Sequence, residues 1–129
     1  MKKKKNQKDK IIITCGTFDP ISAEDIKYLQ KCKEKGDWLV VGLHSDLYLS
    51  TMRGGFLQGY SDRKEIISQL KVIDEIFNFD DKDGTVRQLL KLVKYCYPNA
   101  TIVYVSEEDM KDLPESKITG ILFETMKEE

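Results

Sequence analysis

Scarcity narrows the reading of this chain first. Its 129 residues contain one histidine, one tryptophan, three cysteines and three prolines. No stretch approaches the ~20 consecutive apolar residues of a membrane-spanning helix. The basic start Met1-Lys2-Lys3-Lys4-Lys5-Asn6 lacks the apolar segment of a secretory signal, so the expected compartment is the cytoplasm. Cys15, Cys32 and Cys96 fall in apolar patterns without Cys-x-x-Cys spacing, which points to reduced core thiols and away from a disulfide framework or a metal site. The single histidine, His44, stands at the exit of an apolar run, where a packing or surface role is favoured over catalysis.

What is present describes one globular domain. The chain is 33% charged and 40% apolar with a net charge of -1, and its length suffices to bury roughly two-thirds of the unfolded surface. Six of the first ten residues are lysines. Residues 1–10 therefore read as a basic, disordered tail, and 11–129 as a single domain. Aromatic residues do not interleave with the lysines, so nucleic acid is not an expected partner.

Strand and helix patterns alternate along the chain. The β-branched run Ile11-Ile12-Ile13 breaks into Gly16-Thr17-Phe18-Asp19-Pro20, followed by a helix over 22–35 that ends at Gly36. A second strand covers 39–43. Residues 50–60, with three glycines, read as a loop. Ser61 is placed to cap the next helix, a third strand spans 72–79, and Val86, Leu89, Leu90, Val93 and Cys96 recur at helical spacing before Pro98. Residues 101–105 form a fourth strand. A last helix is expected to begin near Ser116, with Ile118, Ile121, Leu122 and Met126 on one face. The alternation predicts an α/β fold, a Rossmann-like parallel sheet with helices on both faces.

The motifs carry a more specific resemblance. Gly16-Thr17-Phe18-Asp19, then Leu29, Cys32, Gly36 and Asp37, then Gly42-Leu43-His44-Ser45-Asp46, Arg53-Gly54, and Asp62-Arg63 leading into Val72-Ile73-Asp74-Glu75-Ile76 occur in order. This series resembles the cytidylyltransferase-like nucleotidyltransferases. In that family Gly-Thr-Phe-Asp is followed, two residues on, by His-x-Gly-His. Here those four positions read Ser22-Ala23-Glu24-Asp25.

The resemblance implies a nucleotide crevice lined by Gly16, Thr17, Phe18 and Asp19, with phosphates at the helix start where Ser22 and Asp25 stand. It implies a residual triphosphate contact at Ser116. Arg53 takes the place of a phosphate-contacting lysine, and Arg63 either holds an acceptor phosphate or is solvated. Ser106-Glu107 stands where relatives carry His-Gly or Lys-Gly. Homodimers, or pairing with an active relative, are implied in the same way.

Read as residues alone, Ser22 and Asp25 form a variant capping box for the helix N-terminus. Glu24 and Asp25 suit the positive end of the helix dipole, the place that otherwise attracts a phosphate. A carboxylate about 5 Å from one phosphate charge costs on the order of 3 kcal/mol at an effective dielectric of ~20. The expected function is thus a degenerate domain that binds a nucleotide (CTP or ATP) or a phosphometabolite, or serves regulation. The alternative is an active enzyme that moves CMP or AMP from CTP or ATP to a phosphorylated alcohol or sugar through Arg53 and Arg63. No resident metal is expected. Mg²⁺ enters only with a bound triphosphate, through Asp19, Glu24 and Asp25.

Overall fold

The computed structural model describes residues 8–107, 118 and 120–126. β1 (Lys10–Gly16), α1 (Ala23–Lys33), β2 (Trp38–Leu43), α2 (Asp46–Arg53), α3 (Tyr60–Ile67), β3 (Glu75–Asn78), α4 (Arg87–Cys96), β4 (Thr101–Ser106) and β5 (Leu122–Thr125) follow in chain order. The strands form one sheet in the order β3-β2-β1-β4-β5, and every pairing is parallel.

A parallel sheet is covered on both faces, so its central strands are apolar without a break. β1 shows why. Ile11 and Ile13 point into a cluster built with Leu89, Leu90 and Val93 of α4. Ile12 points the other way, into a cluster with Leu29 and Cys32 of α1 and Ile67 of α3. All three isoleucines are fully buried. The chain adds β2 and β3 on one side of β1, then returns to place β4 and β5 on the other. That reversal opens a crevice beyond the C-terminal ends of β1 and β4, where ligands bind in open α/β sheets.

Several expectations are corrected. Residues 46–53 are helix α2, where part of this stretch was expected to be loop. Ser45 Oγ accepts from Tyr48 N at 3.0 Å, and Gly54 closes the helix in the left-handed conformation at φ 78°. The helix was hard to see because it is eight residues long with only Leu49 buried. α3 is capped at Gly59 without a side-chain bond, so Ser61 lies inside the helix. Leu122 and its neighbours form strand β5, not a helix, paired with β4 from Val103↔Leu122 to Ser106↔Thr125. The expected helix start at Ser116 lies outside the described residues. Lys10 belongs to β1 rather than to a tail, and Lys8 Nζ sits 4.3 Å from the centre of the Trp38 ring. Cys96 is exposed, unlike the half-buried Cys15 and buried Cys32.

Gly42 marks the closest approach of α4 to the sheet. A Cβ placed there would lie 2.3 Å from Leu89 Cδ2 and 3.1 Å from Phe79 Cε1, and both of those side chains are buried. Gly42→Ala is expected to destabilise the fold by about 1–3 kcal/mol through overpacking. An unchanged denaturation midpoint would show that α4 is not seated against β2 in this way.

Candidate functional site

A cavity of about 230 Å³ opens at this crevice. Residues 15–20 of the β1–α1 connection form one wall, and Asp25, Tyr28, Arg53 and Glu107 form the rest. The connection is strongly shaped. Phe18 holds a left-handed backbone at φ 47°, a conformation uncommon outside glycine. Its ring lies against Gly16, where a Cβ would come within 2.7 Å of Phe18 Cζ. Asp19 reaches across to the α2–α3 loop, accepting from Leu57 N at 2.8 Å and Gln58 N at 2.7 Å.

The first turn of α1 is closed on itself. Asp25 N donates to Ser22 Oγ at 3.2 Å, and Ser22 N donates to Asp25 Oδ2 at 2.9 Å. This reciprocal box satisfies two of the helix's unpaired donors, and a serine cap is typically worth about 0.5–2 kcal/mol. Tyr28, one turn along, closes the floor. Its hydroxyl lies 2.9 Å from Thr14 Oγ1 and donates to Val105 O at 3.2 Å, joining α1 to both strands at the crevice. Burial pushes the Tyr28 phenol well above its ordinary range.

Arg63 has neither of its expected roles. Its side chain is fully buried. Nε donates to Gln58 O at 2.9 Å, and Nη1 donates to Thr17 O at 3.0 Å and His44 O at 2.8 Å. Nη2 donates to Asp46 Oδ1 at 2.8 Å. The guanidinium therefore stands behind the crevice, locking the β1–α1 connection to the β2 exit and to the α2–α3 loop.

His44 is buried. Its ring stacks on Tyr48 with centroids 3.7 Å apart. Nδ1 lies 2.9 Å from Asp81 Oδ2 and Nε2 lies 3.2 Å from Cys15 Sγ. Ser45 steadies Asp81 through its N–H at 2.8 Å and its hydroxyl at 2.6 Å. Burial holds the imidazole below its ordinary pKa of 6.5, only partly offset by Asp81. For Asp81, burial acts upward, but the bonds from Ser45 and His44 outweigh it and hold the carboxyl below its ordinary range.

The crevice thus gathers Gly16, Thr17, Phe18, Asp19, Asp25 and Arg53. Ser22 stands at its edge as the cap, and Arg63 lies behind it. Ser116 falls outside the described residues. Tyr28 and Cys15 were not anticipated as parts of this region, nor was Asp81 as the partner of His44. The polar Thr14 inside an otherwise apolar strand was the available signal for Tyr28. The residues present do not fit a resident Mg²⁺. Among those described, no three His, Cys, Asp or Glu side chains are grouped to hold an ion. Asp25 is engaged in the cap, Asp19 binds two backbone N–H groups, and the exposed Glu24 pairs with Lys27 at 3.7 Å.

The cytidylyltransferase-like family profile matches residues 13–125. This chain belongs to that family. The bifunctional protein HldE of Wolinella succinogenes is 34% identical over 87 residues, which is 66% of this chain and 18% of that protein. HldE of Sulfurimonas denitrificans is 32% identical over 96 residues, covering 73% of this chain and 20% of its own length. The chain thus spans about a fifth of the curated relatives it matches. The fold is also that of the lipopolysaccharide core biosynthesis protein of Thermoplasma volcanium, at a TM-score of 0.68 and 23% identity over 92% of this chain and 98% of that one. A bifunctional NMN adenylyltransferase/ADP ribose pyrophosphatase of Francisella tularensis, complexed with AMP and Mn, shares the fold at a TM-score of 0.63 and 13% identity, over 88% of this chain and 36% of that one. Among the described residues, no helix is long and apolar enough to cross a membrane.

Arg63→Met would leave three carbonyls without their donor and Asp46 without its cation. Breaking a buried charged network in this way costs about 3 kcal/mol or more. The variant is expected to unfold at markedly lower denaturant. A loss below about 1 kcal/mol would mean that other contacts hold the connection in place.

Proposed function

We propose that this domain retains the nucleotide crevice of its family but not nucleotidyl transfer, and that it binds a nucleoside or a phosphometabolite of low charge in a supporting or regulatory role. One observation carries the reading: the first turn of α1 is closed by the Ser22–Asp25 box. Transfer from a triphosphate requires phosphates to be held and charge on the departing pyrophosphate to be neutralised. Among the described residues, the cavity offers the carboxylates of Asp19, Asp25 and Glu107 against the guanidinium of Arg53. With Arg63 committed behind the wall, two of these carboxylates near a triphosphate would remove several kcal/mol of binding. The loss of each donor at the transition state would remove a further ~10²–10³ in rate.

Arg53 supports the second reading, an active transferase for CTP or ATP with a phosphorylated alcohol or sugar. It is exposed and lines both the main cavity and a neighbouring one of about 320 Å³ against Gly54, Gly55 and Phe56. A homodimer, or pairing with an active relative, belongs to the same proposal. Met52, Phe56 and Leu57, exposed at the end of α2 and in the loop after it, supply apolar surface for such an interface.

The test combines the parent chain with a restored one. The parent should release no pyrophosphate above background from CTP or ATP with glycerol phosphate, phosphoethanolamine or a sugar phosphate. Turnover near ~1 per second, within the usual enzyme range, would overturn the proposal. Replacing Ser22 and Asp25 by histidine and Glu24 by glycine should confer measurable Mg²⁺-dependent affinity for CTP or ATP. A folded triple variant that still ignores both would move the cause of the loss away from α1.

A further inference from the structure

We propose that Cys15, His44 and Asp81 form a thiol–imidazole–carboxylate relay that takes an acyl group from a small, uncharged ester or thioester in the crevice. This activity is distinct from nucleotide binding: the three reacting groups are other side chains, while the cavity that receives the substrate is the same. Sγ of Cys15 lies 3.2 Å from His44 Nε2, and His44 Nδ1 lies 2.9 Å from Asp81 Oδ2. A nucleophile bonded to a base, itself oriented by a third group, is the arrangement that activates a weak nucleophile.

Three features set this apart from a hydrogen bond closed inside the core. Cys15 is half-buried and lines the cavity, so an acyl carbon can approach it. The His44 ring is fixed by stacking on Tyr48 and by Phe79, whose ring centre lies 5.3 Å away. Asp81, anchored by both bonds from Ser45, accepts from Nδ1–H and leaves the Nε2 lone pair directed at the thiol.

Burial, and then the charge of Asp81, push the Cys15 thiol far above its ordinary range, while His44 stays neutral near pH 7. Cys15 therefore behaves as the serine of a Ser-His-Asp triad does, keeping its proton until the bond to carbon forms. In the first step Sγ bonds to the acyl carbon, the thiol proton passes to His44 Nε2, and the departing alkoxide or thiolate collects that proton. In the second, Nε2 takes a proton from water as its oxygen attacks the thioester carbon, the C–S bond breaks to release the carboxylic acid, and the leaving Sγ collects the proton from Nε2, restoring the thiol and the neutral imidazole. Arg53, on the same cavity, is the cation available to the oxyanion. Asp19, Asp25 and Glu107 repel anionic acyl donors, which restricts the substrate to an uncharged or cationic one.

The probe is p-nitrophenyl acetate with the full chain, followed by nitrophenol release and by acid-quenched peptide mapping. The expected result is a burst approaching one equivalent, with the acetyl group on Cys15. The burst should be lost in Cys15→Ala and unchanged in Cys96→Ala. His44→Gln should slow it by about 10²–10⁴-fold. The acetylation rate should be level down through pH 6.5 and fall only at lower pH, because burial holds the imidazole below its ordinary value and delays protonation of Nε2. Acetyl on Cys96 or lysines alone, a rate that climbs steadily into the alkaline range as for a simple thiolate, or a burst indifferent to His44→Gln would each overturn the proposal. If the variants fail to fold, the mapping and the pH profile of the unaltered chain decide.

Discussion

The guanidinium of Arg63 holds the crevice in shape. It is a full charge with no exposed surface, a costly placement unless its donors find partners. Here it joins four segments: Thr17 after β1, His44 after β2, Asp46 at the start of α2, and Gln58 before α3. Arginine suits the position because its planar fork directs several donors at fixed angles, which an ammonium group cannot do. Through Thr17 and His44 it sets both the wall of the cavity and the anchor of the thiol–imidazole pair.

The opposite wall shows how one physical opportunity is put to a different use. A helix N-terminus attracts negative charge through its unpaired N–H groups and its dipole. In a nucleotidyl-transfer site that attraction is directed at phosphate. In this chain Ser22 and Asp25 satisfy it internally, and Asp25 adds a charge of the wrong sign for a phosphate. The helix gains a cap, and under the proposed function the crevice loses its affinity for a polyanion.

The pattern of what was legible follows from the range of the forces involved. The sheet was readable because buried parallel strands are apolar without interruption, as in Ile11-Ile12-Ile13 and Leu39-Val40-Val41. α1 and α4 were readable because Leu29 with Cys32, and Leu89, Leu90 and Val93, recur at helical spacing. The Ser22–Asp25 box is a local device and could be seen in four residues. α2 escaped because one buried leucine leaves no period, and β5 because four residues of strand gain their identity from β4 rather than from their own sequence. Arg63 looked like a ligand-binding or solvated residue because its partners lie as far as 46 positions away. Asp81 and His44 are separated by 37 positions, and nothing local joins them.

The central claim is that the crevice disfavours the charge its relatives' fold is built to receive. Calorimetric titration with cytidine, CMP, CDP and CTP, and with the adenosine series, each with and without Mg²⁺, tests it directly. Affinity is predicted to fall with every added phosphate, with or without the cation. Binding of CTP or ATP at least about tenfold tighter than the corresponding monophosphate, a difference of about 1.4 kcal/mol, would contradict the account.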